Sequence, residues 1–346
     1  MSTHTVFRLT HRNGFDGLEA SNETVPEIDR HELLIKVRSV ALNFRDIAIA
    51  TSQYPFPVKD NVTPCSDAMG EVVEVGSSVP GFEKGDPVVV AFDPTALYGT
   101  IDNWDNGHGG PVDGVLKQYL QVSYQGVVKI PKNSSLKDEQ WAALVCTGAT
   151  AWNGLYGNIP LRPGQTVLFQ GTGGVSVTGL ALAKAAGAKT IITSSSDDKL
   201  AYVKSTFGAD YTINYKKTPD WAAEAKKLTN GVGVDYILEN GGSGTIKQSI
   251  EAIKFGGIIS VIGFLSQASQ EEMPDVAALA LSKGCVVRGI IIGSKQQLEE
   301  VVRFVGNHDI NIPVEKTFGF SKEGVVEALE YMASGSHIGK VCVKVS

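Results

Sequence analysis

Residues 167–187 read VLFQGTGGVSVTGLALAKAAG: an apolar strand, a glycine-rich turn and an Ala/Leu-rich helix in immediate succession. In such a turn, backbone N–H groups can approach a pyrophosphate, whose charge the helix N-terminus favours. The third position of the G-x-G-x-x-G pattern holds Ser176 instead of glycine. Glycine-rich turns are common, but this one lies between a strand and a helix, as in dinucleotide-binding proteins. The predicted cofactor contacts are Gly171, Thr172, Gly173, Gly174 and Val175.

The alternation of strands and helices continues after this turn. Short apolar runs recur as KTIIT, YTIN, VDYILEN, IISVIGF and VVRGIII, with helical runs between them. Together with TVLFQ before the glycines they make six strands, a pattern typical of a parallel sheet with helices on both faces. We therefore predict an α/β fold whose residues 129–295 form a doubly wound, six-stranded Rossmann domain that binds a dinucleotide.

The rest of the chain is rich in short β-type runs. HELLIKVRSVAL, GEVVEVG, DPVVVAF, LKQYLQVS and GVVKIP are bounded by Gly, Pro and Asp, as in a small antiparallel sheet or barrel. Residues 93–114 lack an apolar period and are dense in Gly, Asp and Asn, which predicts a long surface loop. The closing run KVCVKV alternates like the first runs, so we predict one β-rich domain from residues 1–128 and 296–346.

The end of the second predicted strand indicates which dinucleotide is preferred. An NAD site usually presents a carboxylate about 20 residues after the glycines, but IITSSSDDKL places Ser194 there. The hydroxyls of Ser194 and Ser195 and the cation of Lys199 suit a 2′-phosphate. Tyr215, just past the third strand, is a further candidate contact. The same residues also fit a solvated helix N-cap and a half-buried tyrosine at a strand end. We predict NADPH as the cofactor.

The composition limits the possible partners. The 346 residues carry a formal net charge of −6, without the basic footprint that a nucleic-acid backbone or an anionic membrane requires. The first residues are polar, no run reaches the length of a membrane-spanning helix, and the four cysteines are far apart. We expect reduced thiols, a cytoplasmic location and a small-molecule substrate, with no nucleic-acid or membrane partner.

Four segments together resemble the medium-chain dehydrogenase/reductase family over nearly the whole chain: GFEKGDPVVV, LVCTGATAW, GTGGVS and HIGKVCVKV. The resemblance implies that the β-rich domain is a GroES-like catalytic domain and that the protein is a homodimer. It also implies cofactor contacts near the C-terminus and at strand ends, where ligands bind open α/β sheets. The implied positions are Asn240, Gly241, Gly263, Phe264, Gly339 and Lys340.

The same resemblance bears on metal binding. Zinc alcohol dehydrogenases of this family hold a catalytic zinc through a Cys in Cys-x-x-Asp, a His in Gly-His-Glu and a later Cys. Here NFRD places Asn43 at the first ligand, and CSDAMG places Ser66 and Asp67 at His and Glu. Cys146 alone is retained, and Asn and Ser are poor zinc ligands. We predict no catalytic metal and, since the four-cysteine lobe is absent, no structural zinc; the alternative is that Asp67 is an isolated ligand.

The chain is similar to the zinc-independent branch of the family, which includes quinone oxidoreductases and enoyl reductases. This similarity implies that Asn43 lies beside the cofactor and that Tyr54, in LNFRDIAIATSQYP, protonates the reduced substrate. A phenol stays protonated at neutral pH and can donate to an enolate or phenolate. Alternatively, Tyr54 is a turn aromatic that only lines a cleft between the domains, together with Phe56, Trp104 and the 93–114 loop.

We therefore predict an NADPH-dependent, zinc-independent oxidoreductase that transfers hydride to an activated C=C bond of an enone, enal or quinone. Tyr54 and Asn43 are the predicted catalytic residues. One alternative is a zinc-free NADP(H) carbonyl reductase or alcohol dehydrogenase on the same scaffold. Another is a non-catalytic NADPH-binding protein, because a fold does not determine a function.

Overall fold

The computed structural model describes residues 2–346 and divides the chain into two compact units. Of these residues, the first unit contains 2–149 and Ile292–Ser346, and the second contains Thr150–Ile291. The sequence placed the boundaries at 128/129 and 295/296, whereas residues 129–149 and 292–295 fall in the first unit. One contact that holds them there is the hydrogen bond from the backbone N–H of Cys146 to the Asp67 carboxylate, at 3.1 Å.

The strands and the helices are each numbered in the order in which they occur along residues 2–346. The strands are β1 (Thr3–Leu9), β2 (Leu18–Thr24), β3 (Glu32–Ala41), β4 (Asp67–Val75), β5 (Pro87–Val90), β6 (Tyr119–Ser123), β7 (Val127–Lys129), β8 (Thr166–Gln170), β9 (Lys189–Ser194), β10 (Tyr211–Asn214), β11 (Val234–Glu239), β12 (Ile253–Val261), β13 (Val286–Gly289), β14 (Val314–Gly319) and β15 (Lys340–Lys344). The helices are α1 (Phe44–Ala50), α2 (Asp138–Tyr156), α3 (Gly174–Ala185), α4 (Asp197–Phe207), α5 (Trp221–Leu228), α6 (Ile246–Ala252), α7 (Val276–Lys283), α8 (Lys295–His308) and α9 (Lys322–Ala333).

The second unit contains a six-stranded parallel sheet in the order β10-β9-β8-β11-β12-β13. Its strands read as continuous apolar runs because a parallel sheet is buried on both faces. Leu168, Ile191, Ile237 and Ile259 on four neighbouring strands are fully buried. The predicted α/β fold with a six-stranded Rossmann sheet is confirmed. The strand order reverses between β8 and β11, and ligands bind open α/β sheets at such a switch point.

One element of this unit is shorter than its sequence pattern indicated. The helix predicted around Ile246–Lys254 ends at Ala252, and β12 begins at Ile253. Lys254 instead pairs with Asp235 on the neighbouring strand β11, at a point where the register between the two strands shifts. A long-range ion pair of this kind is not visible in local periodicity.

The first unit is built on a mostly antiparallel sheet in the order β14-β15-β3-β4-β5-β7, with β6 also paired to β3. The C-terminal strand β15 pairs with β3 near the start of the chain, with Cys342 opposite Ala41. Buried aliphatic residues from β3, β4 and α9 form its core, among them Ile35, Val72 and Leu329. This pairing brings the residues around position 340 next to those around position 42. In residues 2–346, no helix has both the length and the apolar character required to cross a membrane.

Candidate functional site

The glycine turn of the second unit lies between β8 and α3. Gly171 has φ +75°, in the left-handed region that favours glycine, and Gly173 is the N-cap of α3. A Cβ atom on either glycine would meet no heavy atom of residues 2–346 within 4 Å. The turn therefore has open space beside its backbone, which a phosphate group needs in order to approach the N–H groups.

Ser176, which replaces the third glycine of the pattern, has a structural role in this turn. Its hydroxyl donates to the backbone carbonyl of Gln170 at 2.6 Å and accepts from Asn240 Nδ2 at 2.9 Å. The close helix-to-strand approach is instead made by Gly179, where a Cβ would lie 2.8 Å from the Phe169 ring. Serine is thus compatible with the motif because its hydroxyl closes the strand-to-helix turn.

The ends of β8, β11 and β12 are joined by one hydrogen-bonded network. The buried Glu239 carboxylate accepts from Gln170 Nε2 at 2.7 Å and from the backbone N–H of Gly241 at 2.8 Å. Asn240 contributes its amide to the same framework, and a Cβ on Gly263 would lie 2.4 Å from the Asn240 carbonyl oxygen. These contacts fix the loops at the switch point. The cofactor roles of Asn240, Gly241, Gly263 and Phe264 stay predictions.

The ends of β9 and β10 lie side by side, with Ser194 opposite Asn214. The backbone N–H of Tyr215 donates to the Ser194 carbonyl at 3.1 Å, and the Tyr215 side chain is 42% exposed. Ser195 precedes the N-cap of α4, and Lys199 lies in the first turn of that helix. The structure thus brings together the four residues predicted to contact a 2′-phosphate, whose role in binding it stays a prediction.

Two cations beside these residues were not singled out from the sequence. Lys216 and Lys217 directly follow Tyr215, and Lys217 forms an ion pair with Asp197 at the start of α4. The hydrogen bonds from Lys217 and Asn214 lower the pKa of Asp197, so its carboxylate is ionised and paired. The sequence signal for this cluster was the Lys-Lys pair one residue after the YTIN strand.

In the first unit, one network around Lys340 contains the three positions matched to zinc ligands, Asn43, Ser66 and Cys146, together with Asp67 at the neighbouring Glu position. The Lys340 ammonium donates to the Leu42 carbonyl at 2.5 Å and to Asn43 Oδ1 at 2.7 Å, and it lies 3.6 Å from Asp67 Oδ2. Ser66 Oγ donates to Asp67 Oδ1 at 2.7 Å, and the N–H of Cys146 donates to Asp67 Oδ2.

A zinc ion does not fit this set of groups. Both oxygens of Asp67 already accept hydrogen bonds, and the Lys340 ammonium lies 3.6 Å from Oδ2. Tetrahedral zinc needs three good nitrogen, sulfur or carboxylate donors and water. Within the described residues, moreover, no three His, Cys, Asp or Glu side chains are grouped so that they could hold a metal ion.

Lys340 and Gly339 were predicted to contact the cofactor, and both have structural partners in the first unit. The Lys340 side chain is 3% exposed, and its ammonium faces the three oxygens named above. Gly339 has φ +76°, and a Cβ there would lie 2.6 Å from the Pro313 carbonyl oxygen. The glycine is thus required by local packing, and cofactor contact at these two positions stays a prediction.

Asn43 is the residue of this network with an unused donor. It is 9% exposed, and its Nδ2 has no hydrogen-bond partner in residues 2–346. Its backbone N–H donates to Asp46 Oδ2 at 2.7 Å. Asp46 is fully buried, and this burial raises the pKa of its carboxyl to about 6.

Cys65, the thiol next to Ser66, has no features of a nucleophile. Burial raises the pKa of its thiol well above the ordinary value, so the thiolate is disfavoured. Its backbone is in the left-handed region, with φ +69°, and supports the end of the 93–114 loop. A Cβ on Gly109 or Gly114 would lie 2.6 Å or 2.0 Å from the Cys65 carbonyl oxygen. The predicted surface loop is therefore buried at its C-terminal end.

Tyr54 lies in a cluster of aromatic residues that also contains Phe56 and Trp104. The Tyr54 and Phe56 rings meet edge to face with centroids 5.3 Å apart, and Phe56 stacks on Trp104 at 3.8 Å. The Arg45 guanidinium, which sequence reasoning did not single out, lies 5.3 Å from the Tyr54 centroid. It also donates to the His108 carbonyl at 2.6 Å, so it ties the cluster to the 93–114 loop.

The fold and the glycine turn together define a class of protein. A six-stranded parallel sheet with this turn at its switch point is typical of nicotinamide dinucleotide-binding dehydrogenases. Two family models match the chain: "Zinc-binding dehydrogenase" at residues 174–307 and "Alcohol dehydrogenase GroES-like domain" at residues 29–132.

Whole-length relatives identify the family. The chain is 41% identical over 339 residues to zinc-type alcohol dehydrogenase-like protein C1773.06c of Schizosaccharomyces pombe, covering 96% of each protein. It is 31% identical to a quinone oxidoreductase-like protein 2 homolog of Nematostella vectensis, covering 90% of this chain and 81% of the relative. The crystal structure of a Sinorhizobium meliloti 1021 protein assigned to the alcohol dehydrogenases matches with a TM-score of 0.90 and 34% identity, covering 100% of both chains.

The chain therefore belongs to the medium-chain dehydrogenase/reductase superfamily and is an oxidoreductase of a family whose members bind a nicotinamide cofactor. The predicted family and the GroES-like character of its β-rich part are confirmed. The comparisons do not assign individual site residues, so Tyr54, Asn43 and the cofactor contacts stay predictions.

Proposed function

We propose that this protein is an NADPH-dependent, zinc-independent reductase that transfers hydride to the activated C=C bond of an enone, enal or quinone. The observation that carries the proposal is the network around Lys340. The buried Lys340 ammonium bonds to Asn43, which stands at one zinc-ligand position, and lies 3.6 Å from Asp67, the neighbour of Ser66 at another. Asn and Ser are poor zinc ligands. Hydrogen-bond donors must then stabilise the negative oxygen that forms during reduction.

The residues of the first unit supply the donors that this chemistry requires. NADPH held at the glycine turn between β8 and α3 would supply a hydride to the β-carbon of the substrate. The C=C pair would then shift to the Cα–C bond and the carbonyl π pair to the oxygen, which becomes negative. The Tyr54 phenol is proposed to provide the proton that completes the reduction. Its aromatic neighbours Phe56 and Trp104 form an apolar surface suited to a conjugated or ring-shaped substrate.

The groups at the ends of β9 and β10 support the choice of NADPH over NADH. Ser194 stands where an NAD site usually has a carboxylate. Lys199 and Lys216 offer positive charge for a 2′-phosphate, and Lys217 pairs with the nearby carboxylate of Asp197. This arrangement reduces the repulsion that a phosphate would otherwise meet at the start of α4.

A zinc-free carbonyl reductase or alcohol dehydrogenase is a second candidate, because two of the relatives are named after alcohol dehydrogenases. A non-catalytic NADPH-binding protein is a third. The three functions are separated by incubating the protein with NADPH and a panel of α,β-unsaturated ketones and quinones. Saturated ketone and hydroquinone support our proposal, allylic alcohol supports the second candidate, and binding without turnover of any compound supports the third.

We also propose that the protein acts on a small molecule as a homodimer. In the second unit, β13 is an edge strand, and none of the eight residues of the neighbouring α7 is buried. Leu281 on this helix is 83% exposed. A parallel edge strand with an apolar helix beside it can be continued by the same edge of a second copy. The net charge of −6 does not suit a nucleic-acid partner.

A further inference from the structure

Lys340 is a cation held inside the first unit. It is 3% exposed, and Asp67, which is fully buried, supplies the opposite charge 3.6 Å away. A buried charge is strongly unfavourable unless it is paired and hydrogen-bonded. Here the carbonyl of Leu42 and the side chain of Asn43 complete the contacts of the ammonium. Its position is therefore fixed from several directions.

This cation determines the orientation of the Asn43 amide. A lysine ammonium has three donors and no acceptor. It can therefore bond only to the oxygen of the amide, and the 2.7 Å contact is with Oδ1. The amide nitrogen must then face away from Lys340.

The nitrogen that is left has no partner. Asn43 Nδ2 is buried and makes no hydrogen bond to any described residue. Unpaired buried donors are rare in native proteins because they lose their hydrogen bonds to water. An oriented donor of this kind, backed by a positive charge, is suited to an anionic oxygen of a ligand.

We infer that Asn43 Nδ2 donates to the negative oxygen formed on the substrate, and that Lys340 is the positioning residue that holds Asn43 in this orientation. The inference rests on the proposed function, because hydride addition to the β-carbon places an electron pair on that oxygen. Asn43 keeps its proton throughout, and Tyr54 supplies the proton of the product. Lys340 and the Asn43 amide together stabilise the negative charge on the substrate oxygen, which a metal ion does in other enzymes.

The test uses 4-nitrophenol as a probe, because its phenolate absorbs visible light and resembles an enolate in charge. The wild-type protein saturated with NADP+ is expected to bind the phenolate in preference to the phenol. Asn43→Ala and Lys340→Met are each expected to weaken phenolate binding about tenfold or more, the range for a hydrogen bond to a charged group. The Kd for NADPH is measured by nicotinamide fluorescence on the same variants, and phenolate binding is expected to weaken more than NADPH binding in each of them.

A double variant separates positioning from general structural support. If Lys340 acts only through Asn43, Asn43→Ala/Lys340→Met is no weaker in phenolate binding than Asn43→Ala alone. Additive losses would overturn the inference, as would a large increase in the Kd for NADPH in Asn43→Ala, which would make Nδ2 a cofactor contact. If Lys340→Met does not fold, Lys340→Met/Asp67→Asn removes both charges together and is used in its place. Asn43→Asp, which has no N–H donor, is expected to weaken phenolate binding at least as much as Asn43→Ala.

The same variants distinguish failure of this inference from failure of the proposed function. If the wild-type protein reduces enones but Asn43→Ala and Lys340→Met keep its kcat and its phenolate affinity, the inference is wrong and the reductase assignment stands. If the wild-type protein reduces no compound of the panel, the proposed function is wrong. If, in addition, Asn43→Ala binds the phenolate as tightly as the wild type does, the inference about Asn43 is wrong too.

Discussion

Tyr54 lies between an aromatic neighbour and a guanidinium, and this setting is the basis of its proposed role as proton donor. Tyr54→Phe removes only the hydroxyl and keeps the ring contacts with Phe56. We expect kcat for enone reduction to fall by about 10²–10⁴-fold, the usual contribution of a general acid, while NADPH affinity is unchanged. Steady-state kinetics with a matched Tyr98→Phe control, at an exposed tyrosine, checks this. A rate within about twofold of the wild type would remove the phenol from the mechanism.

Asp46 allows a prediction about stability and pH. Burial raises the pKa of Asp46 from an ordinary 3.8 to about 6 in the folded protein. Between these values the folded state binds more protons at this group than the unfolded state does. The stability that Asp46 contributes is therefore fully present below about pH 4 and is lost as the pH rises through about 6.

Asp46→Asn keeps this position neutral at every pH, so its stability relative to the wild type should increase from pH 4 to pH 8. The expected change is on the order of 2 kcal/mol, since one pKa unit corresponds to about 1.4 kcal/mol. Urea unfolding of both proteins at the two pH values measures it, with Asp60→Asn at an exposed site as the control. A difference that does not vary with pH would show that the Asp46 pKa is not raised.

Some contacts of the first unit could not be predicted from local sequence. Asn43 and Ser66 were recognised as replacements of zinc ligands, Asp67 as the replacement of the neighbouring Glu, and Cys146 as the one ligand that is retained. Lys340 was singled out only as a cofactor contact. Its bond to Asn43 was not predicted, because the two residues are 297 positions apart and meet only through the pairing of β15 with β3. Arg45 was likewise not singled out, because a lone arginine in a helix start carries no local signal of its aromatic neighbours.

At the scale of elements, the glycine turn and the six strands of the parallel sheet were predictable because their signals are local. An apolar run, a turn glycine and a helix follow one another within about 20 residues. Ser176 departs from the pattern, and its hydrogen bonds to Gln170 and Asn240 explain why the turn is nevertheless formed. The end of α6 was placed two residues too late because the Lys254–Asp235 pair is a contact between strands.

The α4 region gives a prediction about cofactor preference. If Lys199 contacts the 2′-phosphate, Lys199→Ala should reduce the preference for NADPH over NADH by about tenfold or more, since hydrogen bonds to charged groups contribute about 1.5–3 kcal/mol. The ratio of kcat/KM for the two cofactors is the measurement. Lys204→Ala, in the last turn of the same helix, is the matched control and should leave the ratio unchanged. An unchanged ratio in Lys199→Ala would mean that this lysine does not contact the phosphate.

The whole molecule gives a prediction about assembly. Leu281→Lys places a charge on the exposed face of α7, beside the edge strand β13, and should shift the protein from dimer to monomer. Analytical ultracentrifugation over a range of concentrations measures the dissociation constant. Val232→Lys, at another exposed apolar residue of the second unit, should leave it unchanged. A wild-type protein that is monomeric at all concentrations would contradict the proposed dimer.

Also at the scale of the whole molecule, the domain boundaries differed from the sequence-based placement. The boundary predicted from the sequence pattern lies near residue 129. The first part of α2 nevertheless belongs to the first unit, where the backbone N–H of Cys146 bonds to Asp67. Local pattern marks where a new type of element begins, whereas the extent of a compact unit depends on contacts distant in the chain. The same limit applies to the network around Lys340, which is assembled within the first unit from positions near 43, 67, 146 and 340.

Reduction by this protein is proposed to need NADPH but no metal ion. The most direct measurement is enone reduction by protein freed of metals with a chelator, with its metal content determined on the same sample. Our account predicts full activity at less than about one-tenth of a metal ion per chain and no change when zinc is added, because the site lacks the three donors that zinc requires. Loss of activity on metal removal, with recovery in proportion to added zinc, would contradict it.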